Sequence, residues 1–360
     1  MMLAPEQTVQ NFALPTIELR SLARRAAVPA LLAAAALATV LLLGGRVHAF
    51  ADALKRVVGV DPGWAIAGIG VECMSIAGYV ALLSLVAGRA APRIRVRDSA
   101  QITLAGAAAT RVLPTAGAGG AALTLWALRR AGLGARSATH TLLVFLVLLY
   151  AVFLASIALA GAALALGMTD SHGPLALSVL PTAVAIAGIA LALALGRRSR
   201  TSAKRATQRL TTDPEPRQPS RLSRATRLLG EAVSDAIRLV RRGEPRLAGA
   251  VVYWLLDAAV LWSMLHAFGA PPAVPVVVLA YFVGQVANTL PLPGTVSGGI
   301  AGVLLAFGVP AGLALPAVLA YRTIAVWLPT PVAIAALPSL RSTIARWKRE
   351  DDLCHAAPAG

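Results

Sequence analysis

The chain has 360 residues, 57% of them apolar and only 14% charged. A soluble domain carries about 25% charged residues, so an ordinary water-soluble core is excluded, and the recurring long apolar runs point to a polytopic membrane protein. The formal net charge of +17 is almost all arginine, with lysine only at Lys55, Lys204 and Lys348. Such charge suits cytoplasmic loops and anionic lipid head groups, and no nucleic-acid partner is expected.

Arg20, Arg24 and Arg25 precede an apolar run at 26–43, which reads as an uncleaved signal-anchor span. The 44–62 loop is mixed in charge. A second span is expected at 63–88, followed by the basic "GRAAPRIRVR" (88–97). The apolar region 98–131 is interrupted at "LPTAG", and the basic "RRAGLGAR" (129–136) follows it. Spans at 137–167 and 174–196 are joined by "GMTDSHGP", which has no Arg or Lys. Residues 197–246 carry 14 Arg or Lys against 5 Asp or Glu. They hold a Pro-rich linker (211–220) and a basic amphipathic helix (221–242). Leu222, Ala225, Leu229, Ala232, Val233, Ala236 and Val240 share one face of that helix. It suits either the inner leaflet or a berth against the membrane domain. A span at 247–268, a second interrupted region at 274–309 with its turn at "LPLPG", and a span at 314–337 complete the set before the basic "RSTIARWKR" (341–349).

The basic loops orient the segments. If 98–131 crossed once, 129–136 would lie outside. A hairpin entering and leaving on the inner face keeps both flanks inside. The same logic makes 274–309 a hairpin from the outer face. The charge rule fits a re-entrant hairpin or two short complete spans equally; each arm is roughly 16 residues, about 24 Å long, short for a full crossing. Span 63–88, hairpin 98–131 and span 137–167 then match span 247–268, hairpin 274–309 and span 314–337 in opposite orientation. That is an inverted repeat of the transporter kind. The expected fold is all-α and polytopic, with about six full spans and two Pro/Gly-broken re-entrant hairpins. Its divisions are a first membrane half (1–196), a basic linker (197–246), a second half (247–340) and a cytoplasmic tail (341–360), with both termini cytoplasmic.

No P-loop, G-x-S-x-G, H-E-x-x-H or C-x-x-C motif occurs, and the five histidines lack metal-ligand spacing. Neither a catalytic centre, a metal nor a cofactor is expected. Ionisable groups at membrane depth are costly and mark functional candidates. These are Glu72, Arg111, Asp257 and Arg322, one acid and one arginine in each half. One reading pairs Glu72 with Arg111 and Asp257 with Arg322 as structural ion pairs. The other lets the arginines engage an anionic head group while the acids support them. Gly117, Gly119 and Gly120 after the first turn, and Gly294 after the second, precede helical arms whose N-termini could receive a phosphate. Small-residue helix packing would use the same glycines.

Several stretches resemble the flippase-like membrane domain of lysylphosphatidylglycerol synthases. They are "LPTAGAGGAALTLWALRRAGL" (113–133), "VANTLPLPG" (286–294), "AFGVP" (306–310) and "AYRTIAVWLPTPVAIAAL" (320–337). Pro114 belongs to the first turn, and Asn288, Pro291, Pro293, Gly294 and Arg322 match position by position. Two departures stand out. Ile300 occupies the place where the family usually has Glu, and the aminoacyl-transferring domain of the synthases has no counterpart in this sequence. The resemblance implies lipid handling in a bacterial plasma membrane, without aminoacylation by this chain. Transbilayer movement of an anionic phospholipid or lipid-linked precursor is the leading expectation. A membrane subunit scaffolding a lipid-modifying or glycosyl-transferring enzyme is the second. A carrier of a small anionic solute is the third.

Overall fold

A computed structural model describes residues 57, 59–112, 118–169, 171, 173–209, 220–289, 294–327 and 329–356. The expected span at 26–43 and both turn apices, with Pro114, Gly117, Pro291 and Pro293, lie outside the described residues. The described chain is helical throughout: α1 (Pro62–Ala90), α2 (Val96–Val112), α3 (Ala118–Arg130), α4 (Ala135–Ala165), α5 (Leu175–Arg209), α6 (Arg221–Arg241), α7 (Ala248–Phe268), α8 (Val274–Val286), α9 (Thr295–Ala306), α10 (Ala311–Arg322) and α11 (Thr330–Ala356). Among them, five stretches are long and apolar enough to cross a membrane: Pro62–Ala90, Ala135–Ala165, Leu175–Thr201, Pro245–Phe268 and Ala311–Leu353. The protein is therefore an all-α, multi-pass membrane protein.

Local chemistry sets several of these boundaries. Asp61 caps α1 by accepting from the Gly63 and Trp64 amides at 2.8 and 3.1 Å, with Pro62 at the first helical position. Asp98, in the first turn of α2, reaches back to the Arg95 amide at 2.9 Å, which is half of a capping box. Gly294 adopts φ +84° at the entry to α9, a conformation that favours glycine. The segment expected as one span over 314–337 is interrupted. After α10 the backbone widens into a π-turn at Thr323–Trp327, and α11 begins only at Thr330. Pro329 and Pro331 remove two amide donors and crowd the carbonyls four residues back, so a regular helix cannot pass through.

Helices α1 and α7 form the centre of the molecule, and they touch at glycine. A Cβ on Gly249 would stand 2.3 Å from the Gly78 carbonyl oxygen, and one on Gly78 would stand 2.8 Å from the Gly249 oxygen. The Ser75 hydroxyl donates to the Tyr253 carbonyl at 2.8 Å across the same seam. Both interrupted regions are helical hairpins closed by glycine. Gly106 lies against Gly120 between α2 and α3, and Gly284 lies against Gly299 and Ile300 between α8 and α9. Arms α8 and α9 have 13 and 12 residues, about 20 and 18 Å, against a hydrocarbon core of about 30 Å. Ile300 is fully buried on Gly284. The position where the resembling family carries an acid is here a packing residue.

One end of the bundle is basic. The connections α1–α2, α3–α4 and α6–α7 lie there with the second half of α11. They are tied by Arg89–Glu244, Arg93–Asp351, Arg136–Glu231 and Arg346–Asp98. The stretch read as a tail from residue 341 is helical to Ala356 and packs on α2. Trp347 is 1% exposed, and Thr343 donates to Gln101 at 2.7 Å. The Asp98 side chain is 3% exposed and accepts from Arg346 at 3.1 Å. Because it also satisfies the Arg95 amide, Asp98→Ala is expected to cost about 2 kcal/mol. Thermal unfolding in detergent would read the loss; an unchanged midpoint would show that this end is not held by Asp98.

Helix α6 takes the second of its two expected berths through its central turns. Ala232, Val233 and Ala236 are buried, with Val233 against Gly196 of α5. Leu222 and Val240, at its ends, are 75% and 59% exposed. Glu231 on this helix is held below the ordinary carboxylate range. Partial burial pushes it upward, but the hydrogen bonds and charges of Arg227 and Arg136 outweigh that.

Candidate functional site

Two buried acids face one cavity. Glu72 on α1 and Asp257 on α7 are 8% and 9% exposed. Both line a cavity of about 500 Å³ between the two halves. The α1–α7 glycine contact brings their helices together, so one acid from each half reaches the same space.

Asp257 is held by tyrosine. The Tyr281 hydroxyl of α8 donates to its Oδ2 at 2.6 Å. Tyr321, the penultimate residue of α10, interacts with the same carboxylate and receives a hydrogen bond from Gln285 at 3.3 Å. A short O–H···O bond of this kind satisfies a buried carboxyl in a place poor in water. The rest of the wall is aromatic and small. Tyr79 of α1 and Tyr253 of α7 meet edge to face at 5.0 Å, Tyr150 of α4 closes one side, and Trp254 anchors its indole N–H on the Leu149 carbonyl at 2.9 Å.

Both hairpins contribute their inner ends. Gly106, Thr110, Ala118, Gly120 and Thr124 come from α2 and α3, and Gln285 and Asn288 from the end of α8 and the turn after it. Ala325 and Pro329, at the interruption before α11, also line it. Irregular backbone at membrane depth is tolerated where it borders such a space. The helix N-terminus of α3 is partly occupied by the protein itself. Thr110 Oγ1 accepts from the Gly120 amide at 2.9 Å while donating to the Gly106 carbonyl at 3.0 Å. This side chain serves an amide that the sequence made available to a phosphate.

The candidates from the sequence thus divide. Glu72, Asp257, Gly120 and Asn288 share the cavity wall. Gly119 is buried in α3, and Gly294 shapes the start of α9. Arg322 ends α10, half-buried and within electrostatic reach of Tyr321, away from the lining. Arg111 belongs to the last turn of α2, and its side chain lies outside the described residues. The sequence reading missed the aromatic wall. Its signal was the spacing of Tyr253 and Trp254, each about one helical turn before Asp257 on α7. Among the described residues, no cluster of three or more His, Cys, Asp or Glu could hold a metal.

Comparison with curated proteins finds no match. The family model described as the lysylphosphatidylglycerol synthase TM region matches residues 18–333, which takes in both halves, both hairpins and the cavity between them. The chain therefore belongs to the lysylphosphatidylglycerol synthase transmembrane-region family.

Proposed function

We propose that this membrane domain moves a phospholipid, or a lipid-linked precursor built on a phosphate, from one leaflet to the other, and that it works as a carrier rather than an enzyme. The observation that carries this reading is the shared cavity, to which each half gives one buried acid, one hairpin end and part of an aromatic wall. A head group crossing a bilayer needs a polar route whose charged members stay solvated or paired. The cavity offers that route near the place where two short hairpins end. We read the halves as an inverted repeat with re-entrant hairpins, the basic end as cytoplasmic, and rocking about the α1–α7 glycine seam as the source of alternating access.

The lining adds a preference. Two carboxylates among Tyr79, Tyr150, Tyr253 and Trp254 suit a cation, which aromatic faces and acids both attract. The favoured cargo therefore carries an ammonium group beside its phosphate. At an effective dielectric constant of about 20, a charge pair at 4 Å is worth about 4 kcal/mol before desolvation. Losing one carboxylate is thus expected to cost at least about tenfold in transport. Asp257→Asn preserves shape and an acceptor for Tyr281 while removing the charge. In vesicles holding the purified protein and head-group-labelled lipids, wild type should move an ammonium-bearing phospholipid faster than protein-free vesicles do. Asp257→Asn should slow it about tenfold, with a smaller effect on a lipid lacking the amine. Equal rates with and without wild-type protein would end the transport reading, and an unchanged Asp257→Asn rate would remove the acid from it.

A further inference from the structure

A second concave site lies at the basic end, away from the shared cavity. It is a groove of about 500 Å³ between the end of α3 and the last turns of α11. Four cations border it: Arg129 and Arg130 from α3, and Arg341 and Lys348 from α11. Its one acid, Asp351, is engaged by two nitrogens of Arg93. The charge facing the groove is therefore strongly positive. Its lining between the cations is apolar, with the consecutive residues Ile344 and Ala345 of α11. Trp126 sits at the rim with the Arg130 guanidinium 5.8 Å over its ring.

We infer that this groove binds the phosphate of an anionic phospholipid taken from the leaflet at the basic end. Three features together select that occupant. Clustered Arg and Lys recognise phosphate oxygens, and Arg does so with a fixed fork. An apolar lining beside those cations matches the glycerol and upper acyl carbons of a lipid, whereas a free phosphate would gain nothing from Ile344 and Ala345. A tryptophan stacked with an arginine is the composition found at the level of lipid head groups. None of the four cations borders the shared cavity.

The groove also has a place in the transport cycle. Helix α3 lines the shared cavity with Gly120 and Thr124 and the groove with Trp126 and Arg129. Helix α11 does the same with Ala333 and Arg341. Along α11 those two positions are about 12 Å apart. A head group held in the groove thus stands within two to three helical turns of the cavity, so the groove serves as the loading site for cargo that joins a net negative charge to the ammonium group the cavity favours. Binding in the groove is independent of the transport reading; the loading role rests on it.

The test measures lipid retained by the purified full chain in nanodiscs of phosphatidylcholine with a minor share of phosphatidylglycerol, read by native mass spectrometry. A basic residue near an anionic surface contributes about 1 kcal/mol, so Arg341→Gln with Lys348→Gln should weaken phosphatidylglycerol retention roughly thirtyfold. Retention of phosphatidylcholine should not change. Arg129→Gln with Arg130→Gln should act the same way on the facing wall, which guards against a folding defect in one pair. Millimolar inorganic phosphate should leave the lipid in place. Unchanged retention in both pairs would overturn the site, and displacement of the lipid by phosphate would overturn the lipid as its occupant. If retention falls but transport by the same variants stays at the wild-type rate, the binding site stands and the loading role is overturned. Loss of transport in Asp257→Asn with normal retention separates the cavity from the groove.

Discussion

Replacing Gly249 with leucine is expected to prevent the two halves from assembling. The nearest atoms to a side chain at that position are backbone: the Gly78 oxygen at 2.3 Å and the Leu82 nitrogen at 3.1 Å from the Cβ alone. A flexible side chain could swing away, but the backbone of a packed helix cannot. Overpacking a core costs typically 1–3 kcal/mol, and a whole isobutyl group against backbone belongs at or above the upper end, about 3 kcal/mol or more. The hydrogen bond across the same seam, from Ser75 to Tyr253, is worth about 1 kcal/mol. Close packing therefore outweighs the polar contact in holding α1 to α7. Membrane helices gain little from hydrophobicity when they associate, which makes this approach the main source of their affinity. The variant should lose its monodisperse elution in detergent and its cooperative thermal transition. Gly70, on the partner helix α1, has nothing within 4 Å of its Cβ position. Gly70→Ala should be neutral or stabilising by up to about 1 kcal/mol. A folded Gly249→Leu with a wild-type midpoint would mean that the seam is looser than described.

The hairpins were legible in the sequence because proline and glycine leave a local mark wherever they fall. "LPTAG" and "LPLPG" interrupt apolar stretches, and the arms on either side are short. Glu72 and Asp257 were legible for a related reason, since a carboxylate in an apolar helix is too costly to be incidental. Their meeting was not legible. It depends on Gly78 and Gly249, two single glycines in apolar helices with no local signature of a contact. Expecting each acid to seek an arginine also hid the part of Tyr281, whose hydroxyl reaches Asp257 from α8. The helix from 341 onward had a signal that its basic residues masked. Leu340, Ile344 and Trp347 share one helical face, and two of them are buried. The interruption before α11 was written as Pro329 and Pro331 inside an otherwise apolar run. Ile300 shows the reverse case, where the departure from the family pattern was readable but its use was not. Only the fold of the hairpin places it against Gly284.

On the proposed reading, replacing the acids by an apolar filling would leave a phosphate-bearing head group no polar route between the halves. Tyr281, Tyr321 and Gln285 hold Asp257 in the cavity wall, so their hydrogen bonds serve the cavity as much as the fold.

The most direct test of the account fills that space. Ala107, on α2, lines the shared cavity and is half-buried there. An indole at this position would enter the open volume rather than a packed core, so the fold should tolerate it. The measurement is the rate of labelled phospholipid movement in vesicles holding Ala107→Trp, beside Gly70→Trp as a substitution of equal size with open surroundings. If the cavity is the path, the first variant should elute and melt like wild type while its transport falls at least about tenfold, and the second should transport normally. A folded Ala107→Trp that moves lipid at the wild-type rate would contradict the claim that the cavity between the halves is the path.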